Sequence, residues 1–236
     1  AVYIHHGLSP NADAWAAFCA EQCQQRQVPF QTIRVTLQGD DNLEQKARDA
    51  RYKALATLVT TADTALCTAH HADDQLESLL LALKRGSGLA GLAGIAKHKV
   101  FAGGWLVRPL LSFTRAQIQA FATSIQLAWI EDESNQNLRF DRNYLRQQVL
   151  PQLTQRWPSF ALTASRSIGQ LAQAAQAQQL LLAPLLQGIA TGQQLDIHAL
   201  LQQPLALQPL LLRQWLAEFE LNPSADRLDK IQQQLI

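Results

Sequence analysis

The chain of 236 residues is long enough for two small domains or for one large one. Hydrophobic residues make up 47% of it, which is ample for a buried core, whereas charged residues make up only 17%. The formal net charge is +1, which excludes a protein that attracts nucleic acid through a strong overall positive field. A nucleic-acid partner would therefore have to meet a local basic patch.

Cysteine usage and hydropathy point away from oxidising compartments and membranes. Cys19, Cys23 and Cys67 form no C-x-x-C motif and are too few for a disulfide framework. No apolar run approaches the roughly 20 residues that a membrane-spanning helix needs, and no signal-peptide pattern opens the sequence. We therefore expect a cytoplasmic protein without a membrane partner.

Apolar strand patterns alternate with helical patterns through the first part of the chain. This order is typical of a parallel sheet covered by helices on both faces, so we predict an α/β domain. Strands are predicted at 1–4, 30–35, 65–69, 105–107 and 128–130, with a turn at 39–42 and a hairpin-like segment around Gly103 and Gly104. A first helix is predicted to begin after an N-cap at Ser9, with Pro10 in its first turn. A second runs from Leu43 to about Val59, and another from Thr114 to about Ile125. Between them a helix runs from the Asp73–Asp74 pair to Arg85, with Leu76, Leu79, Leu80 and Leu83 on one face.

Polar clusters follow the predicted strands. They are His5–His6, His70 to Asp74, Arg108, and Glu131 to Asn135. Because the carboxyl ends of parallel strands meet at one edge of a sheet, we expect these clusters to surround one ligand site. Asp73 and Asp74 fall in the first turn of a helix and Glu77 lies one turn further, so the three carboxylates would share an exposed rim. Loss of one of them, such as Asp74, would then cost little stability.

Each cluster also has a structural interpretation. Asp73 and Asp74 suit the start of a helix, and Glu77 would then be a solvated side chain. A histidine at a strand end is often only hydrogen-bonded to nearby backbone. Arg142 and Arg146 stand four residues apart and could form a solvated helix face.

The functional interpretation of the same residues is a nucleotide site. Clustered carboxylates suit Mg²⁺ that is held partly by phosphates, or an ammonium group. Arg85 and Arg108 suit a polyphosphate, which a guanidinium binds through two hydrogen bonds. No histidine or cysteine group has the spacing of transition-metal ligands.

From Asp141 onward the chain carries no convincing strand pattern. A helix is predicted to begin at Asp141 and to end at Pro151, and Trp157–Pro158 marks a boundary. A long helix from Ser159 to Leu186 and two or three more helices follow. We therefore predict an all-helical domain over 157–236 after an α/β domain over 1–156. The expected helix breaks are Pro184, Gly188, Gly192, Pro204, Pro209 and Pro223.

Several ordered segments resemble one family. A-H-H-A-D-D-Q-L-E-S at 69–78 resembles the H-x-x-D-D-x-x-E-T/S segment of tRNA(Ile)-lysidine synthetases, which belong to the N-type ATP pyrophosphatase, or PP-loop, superfamily. The likeness covers about the first 155 residues, while the helical remainder carries no motif of comparable strength. The other matching segments are I-H-H-G-L-S at 4–9, A-R-D-A-R-Y-K-A-L at 47–55, R-P-L-L at 108–111, E-D-E-S-N at 131–135 and D-R-N-Y-L-R at 141–146.

The resemblance implies a fold and a reaction. The fold is a parallel-sheet, Rossmann-like domain of the adenine nucleotide alpha hydrolase type, followed by a smaller all-α domain. The reaction is tRNA modification: ATP-dependent ligation of lysine to C2 of the wobble cytidine of tRNA(Ile) with a CAU anticodon, forming lysidine through an adenylated tRNA and releasing AMP and pyrophosphate. ATP, Mg²⁺, free lysine and that tRNA are then the expected cofactors and partners, and both a monomer and a homodimer stay open.

The resemblance also implies roles for single residues. The expected catalytic residues are His70, Asp73, Asp74, Glu77 and Arg108, with Asp74 also a ligand of Mg²⁺. The expected nucleotide-binding residues are His5, His6, Arg51, Arg85 and Gly86. The expected tRNA-binding residues are Asp132, Asn135, Arg142, Asn143 and Arg146.

One departure from the family pattern concerns the phosphate loop. The superfamily motif S-G-G-x-D-S does not occur in this sequence. We expect a first strand, this loop and its helix to precede residue 1 in a longer chain, and a further domain to follow residue 236. Without the backbone amides of that loop, this sequence on its own would be inactive.

Three alternatives to a lysidine synthetase stay open. One is a tRNA cytidine-thiolating enzyme of the same superfamily, which the spacing of the cysteines does not favour. The others are a non-catalytic tRNA-binding remnant and an unrelated nucleotide-binding α/β protein.

Overall fold

A computed structural model describes residues 1–37, 39 and 43–235. The described residues form two compact units, each assembled from several stretches of chain. The first unit comprises those within 1–69, 97–109 and 121–132, and the second those within 70–96, 110–120 and 133–236. The domain boundary predicted after residue 156 stays a prediction. Apart from Gly39, the turn predicted at 39–42 lies outside the described residues.

The first unit contains two pairs of parallel strands. Strand β1 (Val2–His5) runs parallel to β2 (Gln31–Arg34). Strand β3 (Ala65–Cys67) runs parallel to β5 (Gly104–Val107), and β4 (His98–Phe101) extends β5 as an antiparallel neighbour. The predicted parallel strands and the hairpin around Gly103 are confirmed. Within the described residues, hydrogen bonding does not join the two sheets into one.

Close backbone approach explains the two glycines of this hairpin. The Gly103 N–H donates to the Val59 carbonyl at 2.9 Å, and the Trp105 N–H donates to the Thr64 carbonyl at 3.0 Å. A Cβ atom on Gly104 would overlap the carbonyl oxygens of Thr64 and Thr61. Only glycine fits where the β4–β5 hairpin lies against the loop that leads into β3.

The helices of the first unit are α1 (Ala12–Gln25) and α2 (Leu43–Ala56). The N-cap predicted at Ser9 is wrong, because residues 9–11 form a turn in which the Ala12 N–H donates to the Ser9 carbonyl and Asn11 becomes the N-cap. The strand predicted at 128–130 is also wrong. These residues adopt neither helix nor strand, since no described strand offers them a ladder of hydrogen bonds.

The second unit is mostly helical. Thr114 caps α5 (Arg115–Ser124, in this unit up to residue 120), since its hydroxyl accepts from the Gln117 N–H at 3.2 Å. The other elements are α3 (Ala72–Lys84), α4 (Leu89–Leu92), a 3₁₀ turn (Glu133–Gln136), α6 (Asp141–Tyr144), a π-helical turn (Leu145–Val149), α7 (Leu150–Arg156), α8 (Phe160–Gln187), β6 (Ala190–Thr191), β7 (Gln194–Leu195), α9 (Ile197–Leu201), α10 (Gln208–Ala217) and α11 (Ala225–Leu235).

Two prolines do not interrupt helices as predicted. Pro151 lies in the first turn of α7, directly after the π-helical turn, and the helix continues to Arg156. The wider π-helical turn changes the hydrogen-bond pattern just where the proline lacks its N–H. Pro184 lies inside α8, which continues to Gln187 because Leu182 and Leu186 on either side of it are 4% and 3% exposed in the core.

Helix α8 contributes to two hydrophobic clusters in the second unit. Its first half packs with Leu76 and Leu150, and its second half packs with side chains of α9, α10 and α11. Leu83 does not join Leu76, Leu79 and Leu80 as predicted. It is 55% exposed, because the last turn of α3 extends beyond the side chains that pack on it.

A short hairpin was not predicted in the helical part of the chain. Strands β6 and β7 pair antiparallel, with Thr191 opposite Gln194. Gly192 adopts φ of 57° in the two-residue turn, which is the geometry that tight hairpins require. No helix of the described residues is long and apolar enough to cross a membrane.

Candidate functional site

The first turn of α3 positions Asp74 inside the second unit. His71 is the N-cap in an extended conformation, and its backbone N–H donates to Asp74 Oδ2 at 2.8 Å. Asp74 is only 9% exposed. The prediction of an exposed rim is therefore wrong for this carboxylate, because it closes the start of its own helix.

Asp73 is held by two different partners. Its Oδ2 accepts from the backbone N–H of Arg115 at 2.7 Å and lies 3.4 Å from His71 Nδ1. Burial disfavours the charged form, but the nearby His71 ring and the hydrogen bond from the Arg115 N–H outweigh it and hold the pKa of Asp73 below its ordinary value. Asp73 is therefore a charged carboxylate at neutral pH.

Glu77 is fully buried and paired with an arginine. Its two carboxylate oxygens accept from Arg146 Nε at 2.8 Å and from Arg146 Nη2 at 3.0 Å, while Arg146 Nη2 also lies 3.5 Å from Asp74 Oδ1. Glu77 is 0% exposed, so its interpretation as a solvated side chain is wrong. Arg146 lies in the π-helical turn, a distortion that is often found at functional sites.

The pKa values of both members of this pair are raised, which favours a neutral Glu77 but a charged Arg146. Burial raises the pKa of Glu77 and outweighs the hydrogen bonds and charge of Arg146. Burial disfavours the charged guanidinium as well, but the hydrogen bond and charge of Glu77 outweigh it and raise the pKa of Arg146. The two-point geometry is that of an ion pair. We therefore treat the pair as charged, and the raised pKa of Glu77 reflects the cost of burying its charge.

Asn143 joins two elements next to this cluster. It is 9% exposed, and its side-chain nitrogen donates to the carbonyls of Ser134 at 2.9 Å and Asn137 at 3.0 Å. Gln147 similarly donates to the Asn135 carbonyl at 2.6 Å. These bonds hold the segment around the 3₁₀ turn against α6 and the π-helical turn. The tRNA-binding role expected of Asn143 and Asn135 stays a prediction.

Arg85 and Gly86 lie at the other end of α3. Arg85 is the exposed C-cap, and Gly86 adopts φ of 63°. With a rise of about 1.5 Å per residue, they lie roughly 16 Å along the helix axis from Asp74. Arg142 contacts the Ser78 hydroxyl at 3.4 Å, and its charge acts on the neighbouring Glu77. The structure therefore brings together Asp73, Asp74, Glu77 and Arg146, and leaves Arg85 apart.

His71 is the residue that sequence reasoning passed over in favour of His70. Its Nδ1 lies 3.4 Å from Asp73 and its Nε2 lies 3.6 Å from Asp74. The signal was its N-cap position, three residues before Asp74. His70 is half-buried and directly precedes it.

In the first unit, His5 and His6 differ in their surroundings. His5 is 6% exposed, accepts from the Gly7 N–H at 3.2 Å and lies 3.3 Å from Asp13, which agrees with its structural interpretation. His6 Nδ1 is buried without a hydrogen-bond partner among the described residues. Burial, followed by the positive charge of Arg51, lowers the pKa of His6. His6 is therefore a neutral histidine near a guanidinium.

Arg108 follows β5 in the same unit. It is 4% exposed, and its backbone N–H donates to the Lys97 carbonyl at 2.8 Å. The Thr68 N–H donates to the Val107 carbonyl at 3.0 Å, so the carboxyl ends of β3 and β5 are neighbours, as predicted. The pKa of Tyr3 in β1 is raised, chiefly by burial and then by the negative charges of Cys19 and Asp132. Asp132 therefore influences β1 electrostatically.

The residues do not form a dedicated metal centre. No group of three His, Cys, Asp or Glu side chains in the described part of the chain is arranged to hold a metal ion. Both oxygens of Asp74 already face donors, His71 N–H and Arg146. This environment does not fit a protein-held Mg²⁺, and the role of Asp74 as its ligand stays a prediction.

Comparisons with known proteins identify two family segments. Residues 1–153 match a family described as the PP-loop domain, and residues 195–236 match one described as the TilS substrate binding domain. The predicted fold class, a parallel-sheet PP-loop domain followed by a helical region, is thereby confirmed.

Curated relatives cover the whole length of this chain. It is 46% identical over 237 residues to the tRNA(Ile)-lysidine synthase of Pectobacterium atrosepticum, which covers 98% of this chain and 53% of that protein. It is 47% identical over 240 residues to the enzyme of that name from Vibrio vulnificus (100% and 55%), and 44% identical over 237 residues to that of Haemophilus influenzae (98% and 54%). The chain thus spans about half the length of these relatives. Since the PP-loop match alone takes in well over half of its residues, the chain belongs to the PP-loop family, as its ordered motifs predicted.

Proposed function

We propose that this chain carries the PP-loop part of a tRNA(Ile)-lysidine synthase. Such an enzyme uses ATP to adenylate the wobble cytidine of a CAU anticodon and then joins lysine to C2 of that base. The observation that carries the proposal is the carboxylate cluster of Asp73, Asp74 and Glu77 at the start of α3 in a PP-loop chain. The names of the curated relatives support it.

The proposed reaction has two steps. First, the C2 oxygen of the cytidine attacks the α-phosphorus of ATP, so that a new O–P bond forms and pyrophosphate leaves. Second, a free amine of lysine attacks C2, a C–N bond forms, the C–O bond to AMP breaks, and the nitrogen loses a proton. AMP is a good leaving group, and the protein's part is to hold the amine in line with C2.

Exposure separates the roles of the three carboxylates. The side chain of Asp73 keeps 23% of its surface exposed, that of Asp74 keeps 12%, and that of Glu77 keeps none. Asp73 is therefore the carboxylate that a lysine ammonium group can reach. We assign Asp74 and Glu77, together with Arg146, to positioning that carboxylate and the turn around it.

The first unit supplies the proposed nucleotide contacts. Arg51 and Arg108 carry the guanidinium groups that suit a phosphate, and His6 has a buried ring nitrogen without a hydrogen-bond partner among the described residues. Within the described residues no cluster of three His, Cys, Asp or Glu side chains is arranged to hold Mg²⁺ by itself.

The experiment is a ligation assay on the full-length protein. Transfer of labelled lysine to tRNA(Ile) is measured with ATP, for the wild type and for Asp73→Asn, with Asp63→Asn in the exposed loop before β3 as the matched acid-to-amide control. Loss of one charge-assisted contact should raise the KM for lysine by about 10-fold to 100-fold. An unchanged KM in Asp73→Asn would remove Asp73 from the lysine site. Incorporation of sulfur instead of lysine would establish the thiolating alternative.

A further inference from the structure

One long segment of the second unit carries no acidic residue. Between residues 142 and 195 the only charged side chains are four arginines, namely Arg142, Arg146, Arg156 and Arg166. The segment has a formal charge of +4, of which the charge of Arg146 is offset by its ion pair with Glu77, although the whole chain has a net charge of only +1. A guanidinium is the side chain best suited to phosphate, so this segment is a local positive region in a nearly neutral protein.

An aromatic cleft lies in the middle of this segment, where α7 ends and α8 begins. It has a volume of about 450 Å³ and is lined by Arg156, Trp157, Pro158, Ser159, Phe160 and Thr163. The cleft lies between the two family matches, which end at 153 and begin at 195, so neither of them includes it.

The two aromatic rings of the cleft have different environments. Phe160 packs against the cluster of Leu76 and Leu150. Trp157 is 52% exposed, and its ring centroid lies 5.9 Å from that of Phe160 with the planes at 32°. Phe160 therefore supports the indole ring, while half of the Trp157 surface stays open to solvent beside the exposed Arg156.

We infer that the aromatic cleft binds an unpaired nucleotide of an RNA strand, with its base stacked on Trp157 and a neighbouring phosphate at Arg156. Unpaired bases of RNA stack on exposed aromatic side chains, and arginine binds the adjoining phosphates. The segment that surrounds the cleft in the sequence adds no acidic side chain that would repel a phosphate chain. The cleft is open to solvent, so a base of a passing single strand can reach the indole ring.

This inference rests on the proposed function only for the identity of the RNA, which would be the tRNA substrate. Binding of a short RNA can be measured without ATP, lysine or turnover. Failure of the ligation assay would therefore leave the aromatic cleft open to an independent test.

The test is fluorescence anisotropy of a labelled single-stranded RNA of about ten nucleotides, mixed with the full-length protein. Trp157→Ala should raise the Kd by about 5-fold to 150-fold, the range expected for one base–aromatic stack. Trp157→Phe keeps an aromatic ring and should recover most of the affinity. Arg156→Gln should weaken binding and reduce the slope of log K against log salt concentration by about 0.7, the value for one phosphate of a single strand.

The controls are Leu181→Ala, which removes a 74% exposed side chain from the same helix outside the cleft, and Arg26→Gln at the exposed C-terminal end of α1. Both should bind RNA like the wild type. Equal affinity of the wild type and Trp157→Ala would overturn the inference. So would equal losses in Trp157→Ala and Leu181→Ala, or failure of Trp157→Phe to restore binding to a correctly folded protein.

Discussion

Replacement of Arg146 by methionine tests whether Glu77 depends on its partner. Glu77 is 0% exposed and accepts two hydrogen bonds from Arg146, at 2.8 and 3.0 Å. Arg146→Met would leave the carboxylate buried without its counter-charge, which typically costs about 3–5 kcal/mol. Because the Arg146 side chain is 26% exposed, water relieves part of this cost. We therefore expect a loss of about 3 kcal/mol in the free energy of unfolding.

The assay is urea unfolding followed by circular dichroism, with thermal unfolding alongside it. A loss of about 3 kcal/mol corresponds to a Tm lower by about 6–12 °C in a chain of this size. The matched control is Lys84→Met, which breaks an exposed ion pair with Asp141 in the same unit. Since the two side chains of that pair are 62% and 63% exposed, its loss should cost about 1 kcal/mol or less.

Two further measurements separate a buried charge from lost packing. The double variant Glu77→Gln, Arg146→Met should be more stable than Arg146→Met alone, because it leaves no uncompensated carboxylate. Burial raises the pKa of Glu77 above 4.5. The folded state therefore binds its proton more tightly than the unfolded state, and the loss in Arg146→Met should shrink as the pH falls towards 4.5. Equal losses in Arg146→Met and Lys84→Met would refute this account of the pair.

Three further predictions concern other parts of the structure. Asp74→Ala should lower the free energy of unfolding by about 1–2 kcal/mol, because the His71 N–H loses its capping acceptor; Asp229→Ala, an exposed helical acid, should change it little in the same urea titration. Burial and the charge of Arg51 lower the pKa of His6, so the unfolded chain takes up a proton before the folded one does. Stability should then fall as the pH drops below 6.5, and His6→Asn should weaken this dependence in unfolding curves recorded from pH 7 to 5. Gly104→Ala should cost about 1–3 kcal/mol or more, because its Cβ would overlap the carbonyls of Thr61 and Thr64; soluble yield and Tm equal to the wild type would contradict the close approach.

The order of elements in the first part of the chain could be predicted from local patterns. Strands β1, β2, β3 and β5 and helices α2, α3 and α5 lie within a few residues of their predicted bounds. Such elements depend on the spacing of apolar residues and on nearby caps such as Thr114, which act over a few residues. The same local patterns overestimated Pro151 and Pro184 as helix breaks. The π-helical turn before Pro151 accommodates the missing N–H, and packing of Leu182 and Leu186 carries α8 past Pro184.

The candidate site was predicted in part. Asp73, Asp74 and Glu77 were recognised together because their spacing places them on adjacent turns of one helix. Their burial and their hydrogen-bond partners could not be predicted from spacing along the helix. Glu77 is buried by a guanidinium 69 residues further along the chain, and Asp73 is fixed by the backbone N–H of Arg115, 42 residues away.

The sequence by itself determined the family, the alternation of strands and helices, and the acidic first turn of α3. Only the tertiary structure decided that Arg146 turns inward to Glu77, that Arg85 stays about 16 Å along α3 from Asp74, and that the exposed Trp157 is supported by Phe160. Helix periodicity and capping are set by neighbouring residues. The partner of a buried charge is set by which distant side chain the packed core brings within hydrogen-bond distance, and the cost of an unpaired buried charge then enforces that choice.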